Sequence, residues 1–143
     1  ASRVGSEMCI RDSSLSDEAK RYLPPLPVSF TYKEEEQGAF ALMHMMGKSK
    51  GNAEYLAQAQ AIKDATMGWF IARNMKSKFL HFNGNYHSDF QGGIIPYLLQ
   101  YRPGTTIKTV CSVRQESIGQ LDEENKGRAD FYICVPEDMT STY

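Results

Sequence analysis

The sequence predicts an α/β fold, a small and mostly parallel sheet with flanking helices, on three observations. A long amphipathic segment, AQAIKDATMGWFIARN, ends at Asn74. Short runs of bulky and β-branched residues, KFLHF, TIKTVCSV and ADFYICV, read as strands. Glycine and proline punctuate the chain between these pieces, at Gly92 and Gly93, at Pro103 and Gly104, and at Pro136.

The 143 residues are 41% hydrophobic and 23% charged, as expected for one globular domain with one core. The 16 basic and 17 acidic residues leave a formal net charge of -1, and basic residues gather only in the short GKSKG around Lys48 and Lys50. A nucleic-acid partner is therefore not expected. No apolar run reaches the roughly 18 residues of a membrane span, and no secretory signal pattern is present. Residues 1–13, ASRVGSEMCIRDS, carry neither helical nor strand periodicity and are read as a non-native leader, an adapter-derived translation. Cys9 lies in that leader, whereas Cys111 and Cys134 sit in apolar strand patterns and are read as small buried hydrophobes. A disulfide between them would require neighbouring strands of suitable geometry.

Along the chain, Ser16 followed by Asp17 and Glu18 resembles a helix start, which LPPLP then stops. Leu23 to Val28 reads as an extended connector. Between Tyr32 and Lys50, Phe40, Leu42, Met43, Met45 and Met46 surround His44, a composition suited either to core filling or to an adaptable face for a large apolar ligand. Gly38, Gly47 and Gly51 flank it and would allow a movable flap. Asn52 is the expected N-cap of a helix over Ala53 to Asn74.

That helix has two faces. Leu56, Met67, Phe70 and Ile71 form a broad apolar stripe, and Ala57, Ala61, Ala65, Gly68 and Ala72 form a stripe almost without bulk, where another element could lie close. Asp64 borders the small stripe, either pointing into a tight crevice or paired locally with Lys63 or Lys76. Lys78 to Phe82 reads as a short strand, with His81 packing on one sheet face. Gly84 then permits a tight turn that delivers His87 just past the strand end, the position at which open α/β sheets bind ligands. IIPYLLQY reads as a helix in which Pro96 is tolerated near the first turn. Thr106 to Val113 is the next strand, closing a strand, helix, strand unit expected to cross over right-handed. RQESIGQLDEENKG is a solvated connection, and Ala129 to Val135 is the last strand.

The segments QAIKDATM, FLHFNGNYHSD, GGIIPYL and ADFYICVPEDMTSTY resemble the ChaN-like haem-binding uptake proteins of the Tiki superfamily, especially Bacteroidetes-type forms, over about Leu23 to Tyr143. The Gly-x-x-His turn Gly84, Asn85, Tyr86, His87 is the strongest match, and helical Asp64 with Met67 the second. The resemblance implies an envelope lipoprotein concerned with iron acquisition, which binds haem and in which a homodimer encloses stacked haems. It also implies an N-terminal half carrying a Gly-Glu-x-x-His type motif. None occurs here, so residues 14–143 would be the C-terminal part of a ChaN-like domain and the fold an incomplete half of a larger α/β domain.

Haem iron needs an axial donor, apolar contact on the porphyrin faces and polar partners for the propionates. His87 and Tyr86 are the candidate metal ligands; Asn83, Gly84, Asp64, Met67 and His44 complete the candidate haem-binding set. Lys48, Lys50 or Arg73 would meet propionates, and Tyr97 is a further tyrosine donor to test. Two other readings stand beside this one. His87 with Asp64 or Asp89 would serve a metal-dependent hydrolase of the Tiki or erythromycin-esterase-like type, although one histidine and one carboxylate fall short of a usual catalytic metal set. Alternatively, Asp64 and His87 only tie helix to turn through a hydrogen bond.

Overall fold

The computed structural model describes residues 15–28 and 53–140, the latter without the side chains of 53–57. The leader, the segment around His44 with Lys48 and Lys50, and the Asn52 cap lie outside the described residues. The described parts form a small mixed α/β fold. It comprises a one-turn helix α1 (Asp17–Lys20), the long helix α2 (Ala53–Asn74), a helix α3 (Ile94–Tyr101) and two strands, β1 (Val110–Gln115) and β2 (Phe131–Pro136).

α1 begins where the sequence places a helix start, because the Ser16 side chain accepts a hydrogen bond from the Ala19 N–H at 3.2 Å. The connector that follows is more than a spacer. Val28 is buried against Ala65 of α2, and Leu26, Ile62 and Tyr97 pack around that pair.

α2 and α3 pack against each other through the small-residue stripe. A Cβ added at Gly68 would stand 2.9 Å from the Leu98 amide nitrogen and 3.1 Å from the Tyr97 Cβ, so only glycine allows this approach. Beside it Ile71, Ile94 and Leu98 form a buried cluster, with Met67, Ala72 and Ile107 packed on it. The Arg102 guanidinium closes the C-terminal end of α2, donating to the carbonyls of Ala72 (3.2 Å) and Met75 (2.5 Å) that the helix leaves unpaired.

β1 and β2 pair in parallel, Val110 opposite Phe131 and Gln115 opposite Pro136. The connection over 116–130 has the length that a parallel pair requires, and it carries one 3-10 turn, Glu123–Asn125, in place of a helix. Gln115 organises its start. Its buried amide donates to the Gln120 carbonyl at 2.7 Å and to the Ser117 carbonyl, and its Oε1 accepts from the Asp122 N–H at 3.3 Å. On β1 Cys111, Val113 and Gln115 are buried while the alternate residues are exposed, as a sheet covered on one face demands. Cys111 lies opposite Tyr132 and Cys134 opposite Val113. The two cysteines share a face but are two residues out of register, and both are free thiols.

Two expectations are corrected. Lys78 to Phe82 runs without strand pairing; Phe79, Leu80, His81 and Phe82 are all exposed, Phe82 at 86%. Bulky residues favour a strand only where a neighbour accepts the backbone hydrogen bonds, and among the described residues no strand lies beside this run. His81 therefore does not pack on a sheet face, and the strand, helix, strand unit around α3 is absent from the described sheet, whose one parallel pair is β1 with β2.

Candidate functional site

The residues from Asn83 to Gly93 fold into a compact turn built of two short 3-10 segments, Asn85–His87 and Asp89–Gln91. The Gly84 carbonyl accepts from the His87 N–H (2.9 Å) and the Asn83 amide (2.8 Å), and Asn83 also donates to the Ser88 hydroxyl at 3.0 Å. Gly84 itself has φ -66 and ψ 145, values open to any residue, and nothing lies within 4 Å of a Cβ placed there. Its part in the turn is the carbonyl acceptor, and glycine is not required for it. The glycine that the turn does require is Gly93. Its φ is +56 and ψ -114, and a Cβ would stand 2.3 Å from the His87 carbonyl oxygen. The start of α3 is thereby pressed against the backbone of His87.

α2 supplies the other half of the site. Asp64 is 4% exposed beside buried Ala61, Ala65 and Gly68, and its Oδ1 stands 2.5 Å from Nδ1 of His87. Of the two environments open to Asp64, the crevice is the one observed. Burial pushes its carboxyl above the ordinary value, an effect that the hydrogen bond and charge of His87, and more weakly Lys63, only partly offset. An imidazole that donates Nδ1–H to this carboxylate keeps Nε2 as its lone-pair nitrogen. The Tyr86 ring meets the His87 ring edge-on, with centroids 5.3 Å apart.

The turn was expected outside the carboxyl ends of the strands, and it does not lie there. Its contacts are with the first half of β1 and the residues entering both strands: Asn85 donates to the Ser112 carbonyl (2.8 Å), Gln91 to the Thr109 hydroxyl (3.1 Å) and Asp130 (3.3 Å), and Arg128 grips Asp89. His87 owes its position to α2 and to this turn, because no strand precedes it among the described residues.

Asn83, Gly84, Tyr86, His87 and Asp64 are thus gathered at one place. Met67, one turn along α2 from Asp64, packs instead against Ile71, Ile94 and Leu98. Arg73 lies over the Trp69 ring at 5.3 Å, and Trp69 meets Tyr101 edge-on at 5.1 Å. Tyr97 faces the same region as Asp64; burial first, then the Asp64 charge, push its hydroxyl up to about 12, which disfavours a phenolate there. His81 is held below the usual histidine value by partial desolvation and then by the charge of His87. The Cys111 thiol is likewise pushed up, by burial and then by Asp89, and stays protonated. Among the described residues no three His, Cys, Asp or Glu side chains converge as a metal-binding group, and no helix is long and apolar enough to cross a membrane.

Asp89, the alternative carboxylate for His87, pairs with Arg128 instead, and Gln91, Gly93, Arg128 and Asp130 escaped sequence reasoning as parts of this arrangement. Arg128 stands 39 residues beyond Asp89, and a long-range ion pair leaves no spacing signal. Gly93 could have been singled out as a glycine directly ahead of a helix.

A donor set of one oriented imidazole with a neighbouring tyrosine fits haem, because the porphyrin supplies four of the iron's ligands and asks the protein for an axial one. Comparison with known proteins points the same way. No curated protein and no solved structure matches the chain. The family model described as haem-binding uptake, Tiki superfamily, ChaN, matches residues 2–98. That span begins within the residues read as a leader, takes in Asp64, Met67 and the whole turn, and stops before β1 and β2, so the likeness drawn from the terminal strand falls outside it. With more than half of its length matched, the chain belongs to the ChaN haem-binding uptake family of the Tiki superfamily.

Proposed function

We propose that this chain binds haem at the turn from Gly84 to His87, as part of iron acquisition at the bacterial cell envelope, with His87 Nε2 as the axial donor. The observation that carries the reading is the 2.5 Å contact between Asp64 Oδ1 and His87 Nδ1. A carboxylate behind the imidazole fixes its tautomer, orients the ring and raises the basicity of the nitrogen that remains. Bound haem would supply the ferric or ferrous iron that accepts that lone pair. Tyr86, whose ring meets the His87 ring edge-on, is the second candidate donor, and Gly84 and Asn83 shape the turn that carries both. His44, outside the described residues, belongs to the proposed haem-binding set, and Met67 joins it as apolar support from α2. Placement on the envelope is proposed from the family's description as uptake proteins, and the lipid anchor and the homodimer that encloses haem from the resemblance in sequence.

A haemin titration followed by visible absorption tests this reading on the wild-type chain and on His87→Ala, with circular dichroism on both. A saturable Soret shift that weakens at least about tenfold in the variant supports it, the factor expected when a ligand or its orienting partner is lost. Two folded proteins that both leave the haemin spectrum unchanged overturn it.

The same carboxylate and imidazole pair also suits a general base, so a metal-dependent hydrolase using His87 with Asp64 is the second reading. It predicts an esterase or phosphatase activity that chelators abolish and haemin does not restore.

A further inference from the structure

We propose that Arg128 is a positioning residue for His87, acting through Asp89 to hold the turn in shape; the proposal rests on the reading of His87 as the haem donor. Asp64 fastens the His87 ring, yet the backbone that follows is under strain. Phe90 (φ 56, ψ 28) and Gln91 (φ 60) are consecutive non-glycine residues in the left-handed region. Each such residue is sterically disfavoured and persists only where its surroundings over-determine it.

Arg128 provides that over-determination at two levels. Its Nε and Nη2 both donate to Asp89 Oδ2, at 3.0 and 2.6 Å, and its Nη1 donates to Asn125 Oδ1 at 2.7 Å. Its carbonyl accepts the Phe90 N–H at 2.8 Å, so one residue grips a side chain of the turn and the backbone beside it. Both charged side chains are mostly shielded, 24% exposed on Arg128 and 15% on Asp89, and a pair so placed is screened far less than a surface pair. A second tie lies next to it. Gln91 donates to Thr109 and Asp130, and Asp130 is itself held by the Thr109 N–H (2.9 Å), the Thr109 hydroxyl (3.0 Å) and Lys108 (2.7 Å).

The consequence is geometric. Asp89 is two residues from His87, and Gly93 presses on the His87 carbonyl from the far side of the strained pair. With the Arg128 grip released, Phe90 and Gln91 relax toward right-handed values, the Gly93 contact opens, and His87 shifts on its remaining ties to Asp64 and to the Gly84 carbonyl. Arg128 also lies beyond the matched residues 2–98, so the loop entering β2 becomes part of the site.

Amide hydrogen exchange across residues 84–93 in the ligand-free chain, haemin titration and thermal melting test this on wild type, Arg128→Ala, Arg128→Lys and Asp89→Asn. In Arg128→Ala, exchange at Phe90 should rise at least about tenfold while α2 amides keep their protection, as for a local opening. Haemin affinity should fall about tenfold, with a shifted Soret maximum at saturation, and Arg128→Lys should recover part of both effects. Unchanged exchange at 84–93, or raised exchange with wild-type haemin affinity and Soret position, overturns the proposal. If Arg128→Ala does not fold, Arg128→Lys and Asp89→Asn decide by the same readouts. Failure of the wild-type chain to bind haemin overturns the haem reading instead, and the exchange comparison still decides whether Arg128 holds the turn.

Discussion

Replacing Asp64 by Asn removes a charge from the site and almost nothing from its shape. The carboxylate is buried, 6% exposed on its side chain, and meets a His87 side chain that is 22% exposed. A hydrogen bond to a charged group contributes about 1.5–3 kcal/mol and one between neutral groups about 0.5–1.5, so the substitution weakens the link by roughly 1–1.5 kcal/mol. Asn also relieves the burial of a carboxylate, which is the dominant influence raising the Asp64 pKa. The two effects oppose, and the melting temperature should move by only a few degrees. Haem affinity has no such compensation. An amide that presents its NH2 to Nδ1 forces the proton onto Nε2, the nitrogen needed for iron, and an amide oxygen at the same place orients the ring without raising its basicity. Loss of an orienting partner of this kind reduces affinity about 10–100-fold, or roughly 1.4–2.7 kcal/mol. The assay is a haemin titration at the Soret band beside a thermal melt followed by far-ultraviolet circular dichroism. Binding as tight as wild type in a folded Asp64→Asn protein would refute the reasoning, because the carboxylate would then tie helix to turn and nothing more.

Two further outcomes are expected. Gly93→Ala places a Cβ 2.3 Å from the His87 carbonyl oxygen at a residue with φ +56, so a chemical-denaturation midpoint should register a loss of at least about 1–3 kcal/mol from backbone strain alone, with the His87 turn displaced in its amide spectrum. Tyr97 has a hydroxyl pushed up from 10.0 to about 12, so the folded state holds that proton more tightly than the unfolded chain. Its stabilising contribution is complete below pH 10 and is lost as pH rises toward 12, and urea midpoints across that window should fall more steeply for wild type than for Tyr97→Phe.

Much of the helical architecture was legible because helices are local. The α2 boundaries followed from periodicity, Gly68 in its stripe of small residues announced a close crossing, and Ser16 marked the start of α1. β1 and β2 were legible as apolar runs, displaced by a few residues from where composition alone would start them. Lys78 to Phe82 was misread for a physical reason. A strand is defined by its neighbour, and a run of bulky residues carries no information about whether that neighbour exists. The site divides in the same way. His87 on a turn and Asp64 beside a small stripe were visible, and their pairing stood as one reading among several; that Asp64 and not Asp89 would meet His87, and that Asp64 would take His87 over Lys63 or Lys76, was not.

From its order of residues alone this chain dictates which segments are helical, where glycine must stand for two helices to touch, and which side chains can donate to iron, since these depend on local geometry and on chemical type. Tertiary structure decides the rest. It brings Asp64 onto Nδ1 of His87, lays Arg128 across Asp89, and sets the turn against the start of the sheet instead of its carboxyl edge. Those contacts join residues 23, 39 and 27 positions apart, and their energies depend on burial, which exists only once the chain has closed around them.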